Sequence, residues 1–197
     1  LNTPVMAIVG GSKISTKIVL LNNLLKKVDK LVVGGAMANT FLAAKGYKTG
    51  KSLIEKDKIS IAKEILEKAE KENCKLILPE DVVVAKRIDD LDSVDNVNVD
   101  KIGDNLSAFD IGESTIEKIS NEMATCKTIF WNGPLGLYEK APFDNSTNVI
   151  GRTAAILTKS NIITSVVGGG DTVAALNKEK LTGGFSFVSI AGGALVE

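Results

Sequence analysis

Asn161–Leu176, NIITSVVGGGDTVAAL, is the stretch that decides the fold. An apolar strand, Ile162 to Val167, runs into Gly168, Gly169 and Gly170; Asp171 and Thr172 follow, and a helical pattern resumes at Val173, Ala174, Ala175 and Leu176. A strand delivers the chain to an edge here, and a helix carries it away. Successive glycines let the backbone approach a ligand closely, and the new helix offers unpaired N–H groups and a positive dipole end to an anion. A carboxylate at that point repels phosphate unless a cation stands between them, and Mg²⁺ usually sits on one or two carboxylates plus phosphate oxygens. On these residues alone a second reading stays open, a tight turn with Asp171 as an ordinary N-cap.

Outward from this stretch the same figure recurs. Val5–Val9 (VMAIV) ends in Gly10 and Gly11, and after SKISTK a helix places Ile18, Leu21, Leu24, Leu25 and Val28 on one face. Lys30–Val33 ends in Gly34 and Gly35 before a helix through Met37, Phe41 and Leu42. Asp57–Asn73 reads as an amphipathic helix with Ile61, Ile65, Leu66 and Ala69 inward, and Lys75–Leu78 as a strand closed by Pro79. The acid-rich segment Asp81–Asp104 reads as an irregular or hairpin excursion with its acids solvated, and Phe109–Gly112 as a turn before a helix over 113–124. Lys127–Trp131 is a further strand running into NGPLGLYE; a helix from about Thr147 to Lys159 follows, and Phe185–Ile190 is a last strand leading into Ala191, Gly192 and Gly193. Short strands alternating with helices predict an α/β fold, a doubly wound, Rossmann-like parallel sheet with helices on both faces in three layers. In such sheets ligands bind outside the carboxyl ends of the strands, so the convergence of five glycine- or proline-rich openings marks the site.

Composition narrows the chemistry. Of 197 residues, 24 are Lys or Arg and 24 are Asp or Glu, and this balance argues against a nucleic-acid surface. Cys74 and Cys126 form no CxxC and read as buried free thiols of a reducing compartment. No apolar run approaches the about 18 residues of a membrane span, and LNTPVM has no signal-peptide character, so a soluble, cytoplasmic protein is expected. Histidine is absent, which removes the commonest general base and most catalytic zinc sites. Arginine occurs only at Arg87 and Arg152, too few for a dedicated pocket for a highly anionic small substrate.

The local motifs sort by the same physics. Gly46–Ser52, GYKTGKS, fails as a P-loop because its spacing is short and a helix precedes it; no GxGxxG follows a strand, which weighs against a nicotinamide enzyme. Lys13 and Lys17 are expected on one face at the start of the first helix, either solvated or offset by an anion. Trp131 reads as core. Asn132, Gly133, Pro134, Leu135, Gly136 and Leu137 form a rigid loop suited to a heteroaromatic ring, and Glu139 reads as a surface glutamate that could also accept from ribose hydroxyls.

Taken together, GGSKISTK (residues 10–17), LVVGGAMANTFL (31–42), FWNGPLGLYE (130–139), VVGGGDTVAAL (166–176) and FSFVSIAGGA (185–194) resemble the phosphoglycerate kinase family in order and rough spacing. The likeness covers essentially the whole chain, with WNGP and GGGDT highly specific, and looks like the carboxy-terminal, nucleotide-binding half. It implies that Lys17 contacts nucleotide phosphates, that Lys13 stabilises the phosphoryl group in transit, and that Asp171 holds the Mg²⁺ of MgADP or MgATP beside Gly169 and Thr172. It further implies an adenine slot walled by Gly11, Ser12, Gly34, Gly35, Leu53, Phe109 and Leu137, with Asn132, Pro134 and Gly136 close by and Glu139 at the ribose. Gly170, Gly192 and Gly193 would offer N–H groups to the transferring phosphoryl. The reaction implied is phosphoryl transfer between 1,3-bisphosphoglycerate and ADP, giving 3-phosphoglycerate and ATP, with a carboxylate acceptor that needs no general base. The family's amino-terminal half, which holds 3-phosphoglycerate, has no counterpart here, so an excised, monomeric domain that binds nucleotide without completing turnover is expected; a non-catalytic nucleotide-binding module is the alternative. Ala36, Phe187, Ile190 and Ala191 depart from the family pattern.

Overall fold

The computed structural model describes residues 1–190. Six strands, β1 (Val5–Val9), β2 (Lys30–Val33), β3 (Lys75–Ile77), β7 (Thr128–Asn132), β8 (Thr164–Gly168) and β9 (Phe187–Ser189), form one sheet in the order β3-β2-β1-β7-β8-β9. Every pairing in it is parallel. Val33, Val9, Asn132, Gly168 and Ser189 stand in one row across five strands, so the following loops leave from a common edge. The order of the strands reverses between β1 and β7, which is where ligands enter such sheets.

Both faces are covered, as the continuous apolar strands require. From β1, Val5, Ala7 and Val9 point to a core closed by Leu21, Leu24 and Leu25 of α1 (Ile18–Leu25), Phe41 of α2 (Met37–Ala44) and Ile65 of α3 (Ile59–Lys71). Met6 and Ile8 point the other way, to Ile119 and Met123 of α4 (Glu113–Met123), Ile150 and Ala154 of α5 (Asn145–Lys159), Leu176 of α6 (Gly170–Lys178) and the fully buried Trp131. This is the expected three-layer, doubly wound α/β fold. Cys74 and Cys126 are buried free thiols, each pushed up by burial, Cys74 to about 11. Among the described residues no helix is long and apolar enough to cross a membrane.

One sequence expectation fails and one resolves. Of the irregular or hairpin excursion expected over Asp81–Asp104, the hairpin is found: β4 (Asp81–Ala85) and β5 (Asp95–Asn98) pair antiparallel, and β6 (Ser107–Ile111) joins β4 on its other side, giving the order β5-β4-β6. Phe109–Ile111, expected as a turn, belongs to strand β6. Its alternation was masked because Asp110 is a buried acid, 3% exposed. The exposed acids of the connecting segment, Asp89, Asp92, Asp95 and Asp100, are solvated as expected. Val82, Val84, Val99, Ile102 and Ala108 close a third core with Leu42. The rejected GYKTGKS segment braces this sheet, since Ser52 Oγ accepts from Ala108 N–H (2.8 Å) and Lys51 N–H donates to the Leu106 carbonyl (2.8 Å). Smaller shifts are also present. β8 begins at Thr164 rather than Ile162, α6 starts at Gly170, α5 at Asn145, and β9 is confined to Phe187–Ser189.

Two buried carboxylates fasten the small sheet to the helices. Asp81 accepts from Ser114 N–H (3.0 Å) and Thr115 N–H (2.9 Å) in the first turn of α4, and from Asn96 Nδ2 (2.8 Å). Burial opposes its charge, but these donors and the Thr115 hydroxyl prevail and hold its carboxyl below the ordinary value. Asp110 accepts from Ser146 N–H (3.0 Å) in the first turn of α5, from the Ser146 hydroxyl, and from Ile111 N–H (2.9 Å). Its burial is deeper and dominates. The carboxyl is pushed up to about 8 against those donors, with Asp144 adding like charge.

At the opposite edge of the main sheet, Glu122 of α4 joins Lys30 and Lys75 (2.6 Å) at the starts of β2 and β3. Hydrogen bonds and charge from the two lysines hold its carboxyl down to about 2. A depressed carboxyl stabilises the fold at neutral pH and loses that contribution as pH falls toward 2. Glu122→Gln is therefore expected to be less stable than the parent at pH 7, with the gap closing toward pH 2, in urea titrations across that range.

Candidate functional site

At the reversal point the loops after β1, β2 and β7 lie backbone on backbone. Gly10 N–H donates to the Asn132 carbonyl (2.9 Å), Gly11 N–H to that of Pro134 (3.1 Å) and Gly35 N–H to that of Leu135 (2.9 Å). The approach is possible only without side chains. A Cβ on Gly133, at φ 100°, would stand 2.2 Å from the Gly10 oxygen, and one on Gly35, at φ 70°, would stand 2.3 Å from the Gly11 oxygen. Gly133 is held from both sides as well, its carbonyl accepting from Trp131 Nε1–H (2.8 Å) and its N–H donating to Thr172 Oγ1 (2.6 Å).

Beside these loops opens a cleft of about 400 Å³. It brings together Gly11, Ser12, Lys17, Asn132, Pro134, Gly169, Gly170, Asp171 and Thr172, residues expected at one site from three separate segments. Gly169 is the N-cap of α6, with Asp171 in the first turn, so Asp171 is not the cap itself. The helix thus opens into the cleft with N–H groups that have no intrahelical partner. Lys17 reaches across from the start of α1, its Nζ donating to Asn132 Oδ1. Burial lowers its pKa, and the Asp171 carboxylate partly offsets this.

Lys13 departs from expectation. A 3-10 turn, Ile14–Thr16, separates it from α1, so Lys13 and Lys17 do not share a helix face. Lys13 is exposed and does not line the cleft. The cleft also has a wall the sequence did not signal: Thr16, Val19, Leu20 and Asn23, one side of α1 and its approach. Their i, i+3, i+4, i+7 spacing is the pattern that could have found them.

Gly34, Gly35, Leu53, Phe109, Gly136, Leu137 and Glu139 do not line this cleft. They are tied to its far side by other contacts. Leu137 N–H donates to the Phe109 carbonyl (2.9 Å), Asn39 Nδ2 donates to the Leu53 carbonyl (3.2 Å), and Gly35 packs on Gly11. The space enclosed by Gly35, Phe109 and Leu135 is about 10 Å³, too small for a ring, while Leu53 stands 54% exposed beside it. Glu139 is exposed. Gly192 and Gly193, with Ala191, lie outside the described residues.

The chemistry of the cleft is that of an anion site with one built-in acid. Lys17 and the α6 N-terminus favour negative charge, and among the described residues Asp171 is the single carboxylate on the wall. Among the described residues no group of three or more His, Cys, Asp or Glu side chains is placed to hold a metal. The donor set therefore fits a hard cation that brings most of its oxygen ligands with an anionic ligand, as Mg²⁺ does.

Comparison with known proteins agrees with this architecture. The family model described as phosphoglycerate kinase matches residues 1–197. The chain is 49% identical over 195 residues to the phosphoglycerate kinase of Novosphingobium aromaticivorans and 50% identical over 194 residues to that of Xanthobacter autotrophicus, covering 98% of this chain and 49% of each relative. The structure of phosphoglycerate kinase from Coxiella burnetii superposes with a TM-score of 0.91 at 46% identity, again over 98% of this chain and 49% of the other. The chain spans about half the length of the relatives it matches. With the family model matched over its full length, this chain belongs to the phosphoglycerate kinase family.

Proposed function

We propose that this chain is the nucleotide-binding, carboxy-terminal half of a phosphoglycerate kinase, and that it binds MgADP and MgATP in the cleft at the strand reversal. The observation that carries the reading is the convergence of Lys17, Asn132, the α6 N-terminus and Asp171 on one wall set. Lys17 and the N–H groups of Gly170 and Asp171 bind the phosphates, and Thr172 fixes Gly133 so that the opposite wall keeps its shape. Asp171 would hold Mg²⁺, which when bound neutralises charge between carboxylate and phosphate oxygens. Lys13, exposed before the 3-10 turn and outside the cleft lining, would meet a phosphoryl group leaving the cleft. The base lies against Gly136 and Leu137, near the exposed Leu53, with Glu139 toward the ribose.

Joined to an amino-terminal half that holds 3-phosphoglycerate, the site passes a phosphoryl group between 1,3-bisphosphoglycerate and ADP. Positioning and charge neutralisation suffice for that step, consistent with a chain that has no histidine. Alone, as a cytoplasmic monomer, the chain binds nucleotide without turnover.

Titration calorimetry with ADP, with and without Mg²⁺, tests the reading. Mg²⁺ is expected to strengthen ADP binding by about tenfold or more, equivalent to about 1.4 kcal/mol, and Asp171→Ala is expected to erase that difference. No binding at millimolar ADP by a folded sample would overturn the nucleotide assignment.

A further inference from the structure

The base side of the site rests on a residue outside the cleft. Asp110, 3% exposed on β6, lies directly beneath the loop that follows β7. A Cβ on Gly136 would stand 2.2 Å from Asp110 Oδ1 and 2.7 Å from the Phe143 carbonyl oxygen, so the loop backbone sits on the carboxyl with no side chain between. The same carboxyl takes the N–H and hydroxyl of Ser146, itself fully buried in the first turn of α5. The next residue, Thr147, is also buried and accepts from Leu135 N–H through Oγ1 (3.1 Å). Phe109, beside Asp110, accepts from Leu137 N–H and packs its ring on Phe143 at 5.0 Å. Leu135, Gly136 and Leu137 are thus each held from below, by Thr147, Asp110 and Phe109.

We propose that Asp110, acting through Ser146 and Gly136, is a positioning residue for the nucleotide's base, setting the height of the Gly136–Leu137 wall while leaving the phosphate cleft untouched. The proposal rests on the nucleotide reading above. Its physical basis is the separation of the two halves: phosphate groups are met by Lys17 and α6, which share no hydrogen bond with Asp110. Above about pH 8, where the Asp110 carboxyl is ionised, both its oxygens accept, and an amide there sets a donor against the N–H group of Ser146 or of Ile111, so the hold on the backbone segment is lost.

The test compares two ligands, ADP and inorganic tripolyphosphate, each with Mg²⁺, by calorimetry at about pH 9, where Asp110 is ionised, on the full chain and on Asp110→Asn. ADP affinity is expected to fall about tenfold, the equivalent of one buried hydrogen bond, with tripolyphosphate affinity unchanged. Ser146→Ala removes a single hydroxyl and is expected to reproduce the selective loss at about threefold, which keeps the test open should Asp110→Asn fold poorly. Unchanged ADP affinity in both variants overturns the proposal, as does equal weakening of both ligands, the mark of a purely structural role. If the parent chain binds tripolyphosphate and ADP equally, the base assignment itself fails, and the role of Asp110 falls with it.

Discussion

Gly133→Ala is expected to lower the unfolding free energy by about 2–5 kcal/mol, combining about 1–2 for an L-residue at positive φ with about 1–3 for overpacking. The new methyl group would enter at φ 100° and meet the Gly10 carbonyl oxygen at 2.2 Å. Neither partner can yield cheaply. Gly10 is tied to the end of β7 by its own N–H, and Gly133 is held by Trp131 and Thr172. Urea denaturation at pH 7 gives the number directly. Gly183→Ala, where nothing lies within 4 Å of the added Cβ, is the control and should change stability by no more than about 0.5 kcal/mol. Equal stability of both variants would contradict the backbone-on-backbone packing of the site.

A second large effect concerns pH. The Asp110 carboxyl is raised to about 8 in the fold, by burial first, against the Ser146 and Ile111 donors and with Asp144 reinforcing the rise. Unfolded, the same group titrates near about 3.9. From about pH 5 to about pH 8 the folded chain therefore holds a proton that the unfolded chain has lost, so stability falls as pH rises. The slope reaches at most about 1.4 kcal/mol per pH unit for one proton, and flattens above about pH 8. No histidine titrates in this window to obscure it. Asp110→Asn should give a nearly flat profile over the same range in denaturant titrations; a flat profile in the parent would show that the Ser146 and Ile111 donors outweigh burial.

Most of the main sheet was legible because its signals are local. Gly10, Gly34 and Gly168 each follow an apolar run directly, and the three loops they begin meet at one edge because the strands are parallel and in register. The cleft was legible for the same reason, since the positions of Lys17, Asn132 and Asp171 follow from where their strands and helices end. The small sheet was not. Asp110 reads as a loop acid unless its partner is known, and that partner, Ser146, comes 36 residues later on another helix. Lys13 was misplaced because the 3-10 turn after it breaks the 3.6-residue period on which the shared-face argument relied. Thr16 and Asn23 carry no local signal, and they join the cleft wall only through the three-dimensional arrangement of the segments around it.

Trp131 is the only tryptophan in the chain, and its indole N–H is bonded to the carbonyl of Gly133. Through that peptide and the Thr172 hydroxyl, the ring is two hydrogen bonds from the first turn of α6. A ligand that shifted α6 would disturb these two hydrogen bonds, and the emission of the fully buried indole would report it. The single tryptophan is thus a built-in probe of the first turn of α6.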